Sequence, residues 1–231
     1  MSRAMVQMRW ELRLLLRNGE QVLVMFVIPL ALLIALHLTG IGPQPVPAVI
    51  AVSIMATCFT SLAIGTGFER RSGALRHAAT TPLSRLELLV GKLLATGLTA
   101  LISVAVVSVV AAGLGWRPAG AWPWSLVVAL LGASAFAALA VLLAGTLRAE
   151  AVLALANGLF VLLIVFGGVL IPVSSMPAAL GTAVSLLPSA ALSGGLRATL
   201  VDGAIPLAEL AILATWTLVA ALVARRTFHW D

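Results

Sequence analysis

Six separate runs in this chain are each long and apolar enough to cross a lipid bilayer, and that leaves few other folds open. A spanning helix needs about 20 mostly apolar residues. The runs are Val22–Thr39, Val46–Gly67, Leu93–Leu114, Trp124–Leu147, Val152–Ile171 and Leu207–Ala224. Each is continuously apolar rather than alternating, so helices are expected and not the strands of a barrel. Composition points the same way. Only 10% of the residues are charged, against about 25% in an ordinary soluble domain. The expected fold is an all-α integral membrane protein: a single transmembrane domain over residues 1–231, with six spans, an amphipathic N-terminal helix and short outer re-entrant helices.

The basic residues orient this topology. With the N-terminus inside, the inner segments hold Arg3, Arg9, Arg13, Arg17, Arg70, Arg71, Arg76, Arg85, Lys92, Arg148, Arg225 and Arg226, and the outer segments only Arg117 and Arg197. Such an asymmetry is the positive-inside pattern, so both termini are expected in the cytoplasm. Trp116, Trp122 and Trp124 gather at one outer boundary, as interfacial aromatics do. The net charge of +6 is spread between apolar runs rather than along one soluble face, so nucleic acid is not the expected partner. The charged N-terminal segment is long and no small-residue cleavage site follows the first apolar run, so a cleaved signal peptide is not expected.

Two segments are not read as spans. Residues 2–19 place Met5, Met8, Leu12, Leu15 and Leu16 on one side of a helix, with Arg9, Arg13 and Arg17 in a basic stripe beside them. Such a helix lies in the membrane surface with its arginines near lipid phosphates. Residues 172–206 carry only Arg197 and Asp202 as charges and are interrupted by Pro177, Pro188, Gly194 and Gly195. They are expected to form one or two short helices that dip into the outer leaflet or cap the bundle. Irregular backbone at that depth must be covered by protein or line a cavity.

The chain carries no chemistry of its own. There is no GxxxxGK[ST] phosphate loop, no HExxH zinc motif and no serine nucleophile elbow. His37, His77 and His229 are scattered and Cys58 is alone, so neither a metal site nor an internal disulfide is expected. None of the six runs has Asp, Glu, Lys or Arg at its middle, where ion-coupled carriers usually hold ionisable groups. Uphill transport would therefore need energy from another chain. A facilitator, carrier or assembly factor that works alone would share these absences. Pro29 is a kink candidate, and Asn157 is expected to bond between helices. The small residues Gly132, Ala133, Ser134, Ala137 and Ala138, and Gly158, Gly167 and Gly168, give the fourth and fifth spans smooth sides for close packing.

One long polar island interrupts the apolar chain, residues 68–92. Phe68–Ala79 can continue as a short helix. Thr80, Thr81 and Pro82 break it, because proline lacks an N–H and restricts the residue before it. Ser84 can then cap a second helix, with Glu87 three residues on as the other half of a capping box. The result is a helix–break–helix elbow leading through Gly91 and Lys92 into the third span.

Glu69, Gly73 and Leu75, then Thr81, Pro82, Leu83 and Ser84, then Glu87, Gly91 and Lys92 form a pattern that resembles the permease subunits of ABC-2 type ABC transporters. The N-terminal amphipathic helix, the six spans and the apolar outer segment before the last span agree with that family's layout. The resemblance implies a twelve-helix pathway made by two copies, or by this chain with a similar one. It implies a separate ATP-binding subunit as partner, holding ATP and magnesium, with no cofactor on this chain. It implies that Glu69, Arg70, Gly73, Leu75, Arg76, Thr81, Pro82, Leu83 and Ser84 couple to that ATPase. The helix with Arg9, Arg13 and Arg17 would be the connecting helix. It further implies export of a drug, antibiotic or lipid-like substrate across a bacterial cytoplasmic membrane.

Overall fold

The computed structural model describes residues 3–40, 45–73 and 84–227, and every regular element among them is a helix. Helix α1 (Arg3–Arg17) ends at Asn18, whose Oδ1 accepts the Gln21 N–H at 3.3 Å as the chain restarts. Among the described residues five helices are long and apolar enough to cross a membrane, α3 (Val46–Arg71), α4 (Glu87–Gly113, opening at Arg85), α5 (Trp122–Thr146), α6 (Ala149–Phe166) and α9 (Leu207–Thr227), and the first expected span is the shorter apolar helix α2 (Leu23–Thr39). Between α6 and α9 lie the short helices α7 (Ala178–Ser185) and α8 (Pro188–Asp202), bent 93° to one another. The expected helical bundle is present. α2 is about 25 Å long at 1.5 Å per residue, the lower limit for a crossing.

Helix α3 is the centre of the chain. Of its most apolar stretch 83% is buried, against 17% for α6 and for α9. Val49, Ala51, Ile54, Met55 and Ala63 are closed in on every side, and Phe59 meets Phe136 of α5 edge to face at 6.0 Å. The helix widens into a π turn over Ala56–Ser61.

Pro29 does what its chemistry requires. It has no N–H to give to the carbonyl four residues back, which is that of Met25. The helix answers with a π turn over Leu23–Val27, and the hydroxyl of Ser103 on α4 donates to Met25 O at 2.6 Å. A break in one helix thus becomes a tether to another.

The segment between α6 and α9 enters the bundle, and α8 packs against α3, α5 and α9. Its irregular approach is satisfied by side chains. Ser189 Oγ donates to Gly167 O at 2.8 Å, Ser193 Oγ to Gly168 O at 2.9 Å, and Trp216 Nε1 to Leu186 O at 2.8 Å. This is the protein cover that non-helical backbone needs at membrane depth. The small residues of α5 and α6 serve this insertion unevenly. A Cβ on Gly132 would stand 2.5 Å from Leu192 Cδ1. A Cβ on Gly167 would stand 2.3 Å from Leu163 O and 2.4 Å from Ser189 Oγ, whereas one on Gly158 would meet nothing within 4 Å. Gly167→Ala is therefore expected to cost about 2 kcal/mol by overpacking, and Gly158→Ala to cost nothing in the isolated chain. Thermal unfolding of the two variants in detergent micelles checks this.

Asn157, expected to bridge helices, is exposed on α6 and makes no hydrogen bond to another helix among the described residues. The polar island also departs from expectation. Instead of continuing as a helix through Ala79, α3 ends at Arg71. Ser72 N donates to Phe68 O at 2.9 Å, Gly73 N donates to Arg70 O at 3.2 Å, and Gly73 takes the left-handed φ of +75°. A glycine just past a helix end is the usual stop, because it alone enters that region without strain. Leu75, Arg76, Thr81, Pro82 and Leu83 lie outside the described residues.

Candidate functional site

The site is built where α1, the end of α3 and the start of α4 meet. Helix α4 begins with the capping box expected from its sequence. Ser84 Oγ accepts the Glu87 N–H at 3.2 Å, and Glu87 Oε2 accepts the Ser84 N–H at 2.8 Å. Capping fixes where the helix starts, and so which residues share a face. Leu88, Gly91, Lys92, Ala95 and Thr99 follow at helical spacing and turn inward.

Gly91 brings α1 close. A Cβ there would stand 2.7 Å from both Cβ and Cγ of Gln7 and 3.0 Å from Ala4 O. The close crossing lets the next residue reach across. Lys92 Nζ donates to Glu11 Oε2 at 3.0 Å and to Glu69 Oε1 at 2.8 Å. Gln7 Nε2, one turn before Glu11, donates to Glu11 Oε1 at 2.8 Å. The side chains of Lys92 and Glu11 are 7% and 9% exposed, and that of Glu69 is 32%. One ammonium therefore bridges two carboxylates from two other helices in a largely dry site, the less buried of which is Glu69. A charge buried this way is stable only while its partners stay in place.

The two residues after Glu69 extend the junction. Arg70 Nη2 donates to the carbonyl of Leu147, at the end of α5. Arg71 pairs with Glu150 in the first turn of α6. Successive residues on an α-helix point about 100° apart, so three neighbours at the end of α3 reach three directions. Glu69 faces α1 and α4, Arg70 faces α5, and Arg71 faces α6. The Arg71–Glu150 pair is exposed and contributes little to stability. The Lys92 cluster is the strong member.

Behind the cluster lies a cavity of about 270 Å³ between α1, α2, α3 and α4, with Gln21, Ser61, Thr96 and Asn18 in its walls. Thr57 and Thr66 also line it, and their hydroxyls are buried without a hydrogen-bond partner among the described residues. A polar space of this size is roomy enough for water.

The expected site residues are thus distributed unequally. Glu69 and Arg70, read as contacts for another subunit, are engaged inside the chain. Gly73 ends α3 and Ser84 begins α4, so together they mark the two roots of the loop. Arg9, Arg13 and Arg17 are exposed on α1. Glu11 is the one buried residue of α1 and lies outside the apolar side expected for that helix. Met5, Val6, Trp10, Leu14 and Leu16 are exposed instead. The missing signal was available: Met8, Glu11, Leu12 and Leu15 share one face at helical spacing, and an acid within an apolar face requires a partner.

A family model described as ABC-2 family transporter protein matches residues 28–225. The chain belongs to that family, and it is a permease component of an ABC transporter. Helix α1, with Gln7 and Glu11, lies before the matched residues. No curated protein matches the chain.

Proposed function

We propose that this chain is the permease of an ATP-driven exporter and that the loop between Gly73 and Ser84 receives the drive from a separate ATP-binding subunit. The observation that carries this reading is the junction at the loop's root. A push on the loop acts on the end of α3, and through Glu69, Arg70 and Arg71 on α1, α4, α5 and α6 together. A floppy loop hung between two spans would dissipate such a push. ATP and magnesium belong to the partner chain in this reading, and both termini of the permease face the cytoplasm of a bacterial cell.

A second copy, or a similar chain, completes the pathway. Helix α6 supports this: it is 17% buried in the single chain, and Asn157 and Gly158 lie on it beside exposed Val161 and Leu162. A polar side chain and a small residue on an uncovered span favour a partner helix over lipid. The cargo is hydrophobic or amphipathic, of the drug, antibiotic or lipid class.

The experiment is purification from the native host in mild detergent, followed by reconstitution. The wild-type chain is expected to bring down an ATP-hydrolysing subunit and to export only with ATP. Glu69→Ala and Gly73→Trp are expected to insert normally and lose at least tenfold in ATP-driven export. Unchanged assembly and export in both variants would remove the loop from the coupling path. Transport without ATP in vesicles lacking any ATPase would replace the exporter with a facilitator.

A further inference from the structure

A groove of about 1000 Å³ runs between α4, α5 and α9, reaching Ile54 and Cys58 of α3 and sharing Thr96 with the polar cavity. Ala129, Ala133 and Ala137 make its floor, and Leu94 and Leu101 its wall. Two of its hydroxyls are spent locally: Ser134 Oγ donates to Leu130 O and Thr217 Oγ1 to Leu213 O, both at 2.8 Å. Apart from these, Thr96 and Arg225, the lining is apolar. At its charged end stands Arg225, exposed, and no acid is among its lining residues.

Length decides what fits. Along α4 the groove extends from Leu89 to Val104, about 22 Å at 1.5 Å per residue. It starts at the basic end of the bundle and stops short of the far end of α4 at Gly113. A spanning helix of a second copy would need a surface for the full ~30 Å of hydrocarbon. An extended acyl chain entering from one leaflet would not. An isologous contact would also set Arg225 of one copy near that of the other, a like-charge pair.

We infer that this groove binds one anionic phospholipid, with an acyl chain along the alanine floor and the phosphate on Arg225. This inference is independent of the coupling role of the loop. Arginine is suited to a phosphate because its planar fork gives two parallel donors, and a lipid held by both ends stays bound where annular lipid exchanges.

Native mass spectrometry of the full chain in mild detergent tests it, by titration with phosphatidylglycerol and with phosphatidylethanolamine of the same acyl chains. One phosphatidylglycerol per chain is expected to be retained most tightly, in preference to phosphatidylethanolamine. Arg225→Gln should weaken retention roughly tenfold, the loss of one charge-assisted contact. Ala133→Phe should abolish it, while Val219→Phe, on α9 but outside the groove, should not. Equal retention of the two lipids, or unchanged retention in Arg225→Gln, overturns the assignment even if Ala133→Phe fails to fold. Loss of chain–chain association in Ala133→Phe with lipid retention intact would give the groove to a second copy instead.

Discussion

Lys92→Met is expected to destabilise the folded chain by about 3 kcal/mol, the cost of stranding buried charges whose partner has been removed. The side chain is nearly the same length, so little packing is lost and the effect isolates the charge. Two carboxylates, Glu11 and Glu69, would face each other without an ammonium between them. Glu69 is partly exposed and can recover some hydration, whereas Glu11 cannot. The sharper comparison is with Glu11→Gln, Glu69→Gln and Lys92→Met combined. Replacing a whole buried ionic cluster by neutral groups is commonly tolerated far better than removing one member. The triple variant is therefore expected to regain most of the lost unfolding midpoint in detergent micelles. It should still fail in ATP-driven export, because α1, α3 and α4 would be packed but no longer tied by charge. A triple variant as unstable as Lys92→Met would mean that the cluster works through shape and not through charge.

What the sequence displayed and what it hid divide by distance along the chain. The apolar runs and the Ser84–Glu87 cap rest on neighbours within one or two turns, and local pattern reveals those; Gly91 and Lys92 stood out only through the family pattern. The salt bridge from Lys92 to Glu11 joins residues 81 apart, and the bond from Arg70 to Leu147 joins residues 77 apart. Nothing in local pattern announces either. Arg70 read as a contact for another subunit and Arg71 as a charge at the end of a span, because their partners lie beyond reach of local pattern, at the end of α5 and on α6. Asn157 shows the other limit: a polar residue within an apolar run signals that a partner is wanted, but not whether the partner lies in the same chain, and in the single chain it is exposed. The π turn in α2 was legible only as a proline, since the donor that answers it, Ser103, sits on a helix whose register the sequence alone did not align with α2.

Gly91→Leu is expected to abolish ATP-driven export and lower stability by about 2 kcal/mol, through the crossing of α1 over α4. Any side chain at this position places its Cβ 2.7 Å from Gln7 and 3.0 Å from the Ala4 carbonyl oxygen. The Gln7 side chain can turn aside, but the carbonyl oxygen moves only if α1 moves, and overpacking of that kind costs about 1–3 kcal/mol. The shift has a second consequence, because Gln7 and Glu11 ride on the same helix. Lifting α1 lengthens the Glu11–Lys92 contact and leaves the lysine held by Glu69 alone. Gly97→Ala provides the comparison. It lies on the same helix, its Cβ meets nothing within 4 Å, and alanine is the better helix former by about 1 kcal/mol. That variant should be neutral or stabilising. Gly91→Ala should fall between, and adding Gln7→Gly should recover part of the loss by removing two of the three close contacts. Thermal unfolding and ATP-driven export of these four variants separate two views of α1. If Gly91→Ala behaves as Gly97→Ala does, α1 is a helix that merely rests on the membrane surface. If it behaves as expected, α1 is locked to α4 by a glycine and an ion pair that occupy consecutive positions, and motion received at the loop must carry it along.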